Sequence, residues 1–148
     1  MMNDKASIFN GTCLCGEIKY EASGGKHTSY SCHCRDCQYM SGGNPNTAIY
    51  IPDAILTVKT CEPSSFSSKS DNGTNKTQYF CGKCGTPLYG ESDMFPNSVV
   101  LKVGSLDTPV IFNSSMNVWV SSAQDWHYLD PDLPQYEKAP FGEDSENQ

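Results

Sequence analysis

Residues 81–85 read Cys81-Gly82-Lys83-Cys84-Gly85, and this C-x-x-C-G knuckle decides how the rest of the chain is read. A tight turn converges the two sulfurs, and the glycine behind the second lets backbone N–H groups approach them. Toward the N-terminus, Cys13-Leu14-Cys15-Gly16 offers a second pair. In extended chain, residues i and i+2 point to the same side, so C-x-C presents two thiolates to one ion. Cys13, Cys15, Cys81 and Cys84 together supply a closed, tetrahedral structural zinc site with Zn–S of about 2.3 Å. Such a site would tie the first strand to the middle of the chain.

Between these pairs, Cys32-His33-Cys34-Arg35-Asp36-Cys37 puts three sulfurs into six residues. Three protein ligands with one open position mark a catalytic zinc rather than a structural one. Candidates for the fourth position are His33, Asp36, the distant Cys61, and water or a substrate thiol. In an extended C-H-C segment His33 points away from its neighbours' thiols. Asp36 is local to the loop. Cys61 stands outside every cluster and reads as a half-buried small residue. Water or a substrate thiol is the preferred fourth ligand.

Composition limits the alternatives. The 148 residues suit one domain, and only 37% are apolar, while 12 glycines and 9 prolines favour short strands and many turns. No apolar run approaches a membrane span, and the N-terminus has no apolar core of a secretory signal. Clustered cysteines in such a chain point to metal rather than disulfides, and to the cytoplasm. Of the net charge of −7, the stretch from Asp130 to Gln148 carries six acids and one lysine, hence −5. That acidity reads as a solvated tail. No basic stripe suits a phosphate backbone, so neither nucleic acid nor membrane is an expected partner.

Strand character falls at Glu17–Ala22, Thr47–Ile51, Ile55–Lys59, Gln78–Phe80, Ser98–Val103 and Met116–Val120. The Ser- and Asn-rich stretch Ser64–Asn75 reads as an exposed hairpin loop. One or two helical turns fit near Asp36–Met40. The expected fold class is therefore mainly β, a single domain of short strands and long loops whose core depends on its metals.

The order GTCLCGEIKY, SCHCRDCQYMSGG, QYFCGKCGTPLYG, VGSLD, NVWVSSAQDW and LPQYE resembles the glutathione-dependent formaldehyde-activating enzyme family, whose domain is shared with centromere protein V. The resemblance runs from about Gly11 to Phe141. It implies a zinc-binding β-tent fold over 11–141, with an N-terminal extension at 1–10 and an acidic, disordered tail at 142–148. It also implies two zinc ions per chain: structural at Cys13, Cys15, Cys81 and Cys84, catalytic at Cys32, Cys34 and Cys37. At two positions the chain departs from the common family pattern. Gln38 stands where many members have a basic residue, and Asn117 where many have a histidine.

The implied activity is that of a zinc-dependent carbon–sulfur lyase. A small-molecule thiol, glutathione or a glutathione conjugate, would be held as thiolate and added to an aldehyde such as formaldehyde, giving S-hydroxymethylglutathione. Arg35, the one arginine of the chain, would offset charge or clamp a substrate carboxylate. His33 reads as a support for the metal loop or a proton shuttle. Trp119 and Trp126 read as core and rim, and Ser41-Gly42-Gly43 as a turn or a place of close approach. His27 and His127 have no evident partner. The competing reading is a non-catalytic zinc-binding interaction module. The oligomeric state is not legible.

Overall fold

A computed structural model of the chain describes residues 2–3, 7–70 and 72–140; the expected tail at 142–148 and the domain end at Phe141 lie outside them. The strands β1 (Met2–Asn3), β2 (Ser7–Thr12), β3 (Lys19–Gly24) and β4 (His27–Cys32) precede one short helix, α1 (Arg35–Met40). Then come β5 (Asn46–Ile51), β6 (Ile55–Val58), β7 (Ser64–Lys69), β8 (Asn75–Phe80), β9 (Pro87–Ser92), β10 (Val99–Lys102) and β11 (Asn117–Val118). The protein is mainly β, with short strands and long loops. No helix among the described residues is long and apolar enough to cross a membrane.

Two compact units can be distinguished. The larger comprises Met2–Thr28 and Ile49–Phe112. In it β3 lies between β2 and β6, antiparallel to both. A second antiparallel run has the order β10-β9-β8-β7. Alternation explains β3: Tyr20 and Ala22 are buried while Lys19 is exposed and Glu21 half-buried. The apolar core of this unit gathers Phe9, Ile18, Tyr20, Ile51, Leu88 and Leu101, among others. Tyr20 places its hydroxyl 2.6 Å from Ser105 Oγ and its ring edge-on to Tyr89, which satisfies the one polar atom that its burial would otherwise strand. The Tyr20 ring leaves no room for a side chain at residue 11, and Gly11 sits there.

Strand β2 starts at Ser7 and buries Phe9, so sheet structure begins inside the stretch expected as an extension. Ser64–Asn75 is not all loop. Ser64–Lys69 is a strand paired residue by residue with β8, and beyond it Ser70 N–H donates to Thr74 O at 2.8 Å. Its six residues are exposed or nearly so on both faces, so no alternation marks it, and pairing with β8 supplies what propensity does not.

The smaller unit comprises Ser29–Ala48 and the described residues from Asn113 onward. Here β11 runs parallel to the end of β4, pairing Asn117 with Ser31 and Val118 with Cys32. On its other side, Asn117 N–H donates to Pro134 O at 2.9 Å and Tyr136 N–H to Asn117 O at 2.9 Å. The segment 113–120 is thereby held on both flanks beside the cysteine loop.

Candidate metal centres

In the larger unit the sulfurs of Cys13, Cys15, Cys81 and Cys84 all lie within 4.8 Å of one another. Cys13 and Cys15 are 3.6 Å apart, Cys15 and Cys81 3.8 Å. A tetrahedral ion with Zn–S near 2.3 Å requires S···S of about 3.8 Å, so the donor set fits a zinc-sized ion. Both pairs sit in loops closed alike, Cys13 N–H donating to Ile18 O and Cys81 N–H to Thr86 O, each at 3.0 Å. Gly16 N–H donates to Cys13 O at 3.0 Å, and Gly85 N–H to Cys81 O at 2.8 Å. Gly16 and Gly85 have φ of 84° and 80°, a conformation that favours glycine. The Cys13–Cys15 segment is thus a turn, not the extended chain expected, and its sulfurs converge by curling rather than by strand alternation.

Backbone N–H groups aim at these sulfurs: Ile18 at Cys13 (3.2 Å), and Lys83 and Cys84 at Cys81 (3.4 Å each). The Thr86 hydroxyl and backbone lower the Cys84 thiol to about 5, which favours a thiolate ligand. Lys83 forms an ion pair with Glu17 at 3.2 Å on the exposed side of the knuckle.

In the smaller unit Cys32, Cys34 and Cys37 likewise bring their sulfurs within 4.8 Å. Cys32 ends β4 and is buried, while Cys34 and Cys37 are half-buried. Cys34 is the N-cap of α1, its sulfur accepting the Cys37 N–H at 3.3 Å. The C-x-x-C spacing is thus a cap and the third residue of a first helical turn. Gly42 and Gly43, at φ of 69° and 96°, end the helix, and Gly43 N–H closes on Gln38 O at 2.7 Å. The neighbouring Cys34 and Cys37 thiols, together with burial, push the Cys32 thiol well above its ordinary value. Three crowded sulfurs cannot all ionise unaided, and a divalent cation is the partner that would let them. Both groups could hold a metal ion.

Around the three sulfurs the expected roles divide. Arg35 is exposed, donates to Gln38 Oε1 and lies over the Tyr39 ring at 4.9 Å. Gln38 is buried, and its amide nitrogen donates to His33 O at 2.8 Å and Ser122 O at 2.9 Å. Its oxygen also accepts from Gln124 Nε2 at 3.1 Å. Gln38 therefore ties the helix to the 122–124 segment and holds Arg35, rather than facing a ligand. His33 is fully buried and turned away from the thiols, as its extended setting predicts. Its Nε2 lies 3.0 Å from Asn117 Oδ1 and its Nδ1 lies 2.9 Å from His127 Nδ1.

Cys61 belongs to neither group; it is exposed, its thiol 3.5 Å from Glu17 O. Asp36 is exposed and belongs to neither group. Trp119 is half-buried in a left-handed conformation (φ 58°), and Trp126 is exposed, its indole N–H donating to Gly43 O at 3.0 Å. His127, which had no evident partner, turns out to be the contact of His33. No local signal could have paired residues 94 positions apart. Thr86, beside Cys84 at 3.1 Å and accepting from Leu14 N–H at 3.1 Å, was also missed, although it follows the knuckle directly.

No curated protein matches the chain. A solved structure of a Rhodobacter sphaeroides protein, a structural genomics target, is 18% identical with a TM-score of 0.46 over 66% of this chain and 87% of that one. That likeness is too weak to add to an assignment. The sequence profile of the glutathione-dependent formaldehyde-activating enzymes, in contrast, matches residues 8–122, a span that holds both cysteine groups. With all seven clustered cysteines inside that span and gathered into two metal-sized sets, the chain belongs to the glutathione-dependent formaldehyde-activating enzyme family.

Proposed function

We propose that the protein is a zinc-dependent carbon–sulfur lyase that joins a small thiol, glutathione or a glutathione conjugate, to an aldehyde such as formaldehyde. The proposed setting is the cytoplasm. The observation that carries this reading is the unequal make-up of the two groups. Among the described residues, one offers four sulfurs and the other three. Four thiolates close a tetrahedron and serve stability; three leave a position for an exogenous ligand. His33 does not fill that position, because both its ring nitrogens are engaged elsewhere.

Cys32, Cys34 and Cys37 would hold the catalytic zinc, and Cys13, Cys15, Cys81 and Cys84 the structural one. Bound to the three sulfurs, zinc would supply the pull that keeps a substrate thiol ionised at neutral pH. The thiolate sulfur then adds to the aldehyde carbon, a C–S bond forms, and the C=O pair moves to oxygen, which takes a proton. In reverse the C–S bond breaks and the aldehyde is released. Arg35 uses one donor on Gln38 and keeps further N–H groups of its guanidinium for a carboxylate of the thiol substrate. Orientation is the main task of the protein, because the reaction also occurs between free thiol and aldehyde.

The test is to load the protein with cobalt, add glutathione, and follow the visible spectrum alongside formation of the hydroxymethyl adduct by NMR. A second-site spectrum that shifts with glutathione, with adduct formed faster than in free solution, is expected. A spectrum indifferent to thiols, with no acceleration, would favour a non-catalytic zinc-binding module.

A further inference from the structure

Two buried histidines stand behind the three-sulfur group, and the chemistry above uses neither. His33 sits between two ligands, Cys32 and Cys34, and every polar group it has is tied down. Its N–H donates to Val118 O at 3.0 Å, its O accepts from Gln38 Nε2 at 2.8 Å, and its ring meets Asn117 and His127.

The partners of His127 place its proton. Its Nε2 lies 2.9 Å from Gly43 O, and a carbonyl only accepts, so Nε2 carries a hydrogen. Its Nδ1 receives the Gln124 backbone N–H at 3.3 Å, and an N–H only donates, so Nδ1 presents its lone pair. His33 Nδ1, 2.9 Å from that same lone pair, must therefore be the donor. At the far side of His33, the amide of Asn117 has a buried nitrogen with no partner among the described residues. Amide oxygen and nitrogen exchange by a half-turn. That half-turn gives an Asn117 N–H the Nε2 lone pair of His33 and leaves Oδ1 in the position without a partner; each ring then has one donor and one acceptor, both matched.

We infer that His33 and His127 form a strut with a fixed proton order: Asn117 amide to His33 Nε2, His33 Nδ1–H to His127 Nδ1, His127 Nε2–H to Gly43 O. The strut makes His127 a positioning residue. It joins the ligand segment Cys32–Cys34 to the turn that ends α1, on which Cys37 lies, so the three sulfurs are held together from behind. It is no path for protons to solvent, because its outer end is a carbonyl oxygen. This inference rests on the reading of Cys32, Cys34 and Cys37 as a metal centre.

The test combines NMR with metal competition. In zinc-loaded wild-type protein, long-range 15N–1H spectra of the histidine rings should show Nδ1–H on His33 and Nε2–H on His127. Any other proton placement overturns the strut. His127→Phe should weaken cobalt at the three-sulfur site about 10–100-fold against a chelator, leaving the four-sulfur cobalt band unchanged as an internal control. His127→Gln, whose amide can repeat both bonds, should restore most of that affinity. A His127→Phe protein that holds second-site cobalt as tightly as wild type, or a His127→Gln protein no better than Phe, overturns the positioning role while leaving the lyase reading intact. Wild-type protein that takes metal only at the four sulfurs would sink the lyase reading and the strut with it.

Discussion

The sulfur of Cys34 accepts the backbone N–H of Cys37 at 3.3 Å, so one atom both caps α1 and faces the other two thiols. Ligand and cap can be separated by substitution. Cys34→Ser keeps a capping side chain and loses the thiolate; Cys34→Ala loses both. Each should abolish second-site metal binding and turnover, while the four-sulfur site keeps its metal. The Ser variant should be the more stable by on the order of 1 kcal/mol, the usual worth of an N-cap, read from denaturant midpoints. Wild-type turnover in either variant would refute the catalytic assignment.

At the other group the consequence is for folding. Cys81 is nearly inaccessible, and its sulfur receives two backbone N–H groups. Structural zinc can contribute on the order of 10 kcal/mol, against a typical domain stability of about 5–15 kcal/mol. Cys81→Ser or Cys84→Ser should therefore lose the soluble, cooperatively melting state. Either variant melting at the wild-type midpoint would remove the structural role.

Cys61 is the contrast. Exposed and facing Glu17, it is expected to ligate neither metal. Cys61→Ala should retain two zinc ions per chain and full activity, measured by metal analysis and adduct formation. Loss of one zinc would mean that a fourth cysteine closes the second site.

Gly11 tests packing apart from metal. A Cβ there would overlap the ring of Tyr20, which is buried and fixed through Ser105. Gly11→Ala should cost about 1–3 kcal/mol, the range for overpacking, and lower the melting midpoint with both metals still bound. An unchanged midpoint would mean that the Tyr20 ring moves freely.

His27 links the fold to pH. Burial lowers its pKa, its Nδ1 has no partner among the described residues, and its ring stands edge-on to Phe9 at 5.2 Å. The fold therefore prefers the neutral ring. Its contribution is complete above the unfolded value of about 6.5 and declines as pH falls below that toward the lower folded value. Wild-type stability should drop more between pH 7.5 and 5.5 than that of His27→Phe, in melts run in parallel. Equal slopes would remove His27 from the acid response.

Strand β3 was legible because alternation marks its buried face, and β5 because Ala48, Ile49 and Ile51 make a short apolar run that is buried; α1 was legible only as one or two turns, since its cap is a cysteine. The serine-rich β7 and the opening strand β2 were not legible. Neither carries enough alternating apolar residues, and pairing with β8 and β3 decides them.

The sequence by itself determined three local cysteine groups, because turns of two to six residues bring neighbouring sulfurs together whatever surrounds them, while the approach of Cys15 to Cys81, 66 residues on, came from the fold. Only the tertiary structure decided what stands behind the sulfurs. Gln38, which the sequence marked only as a departure from the common family pattern, is a buried brace between His33 and Ser122. His127 meets His33 only because β11 lies parallel to β4 and brings the 117–127 segment alongside the cysteine loop. Contacts within a turn follow from backbone geometry over a few residues; contacts across 94 residues follow from strand pairing and burial, which no local pattern encodes.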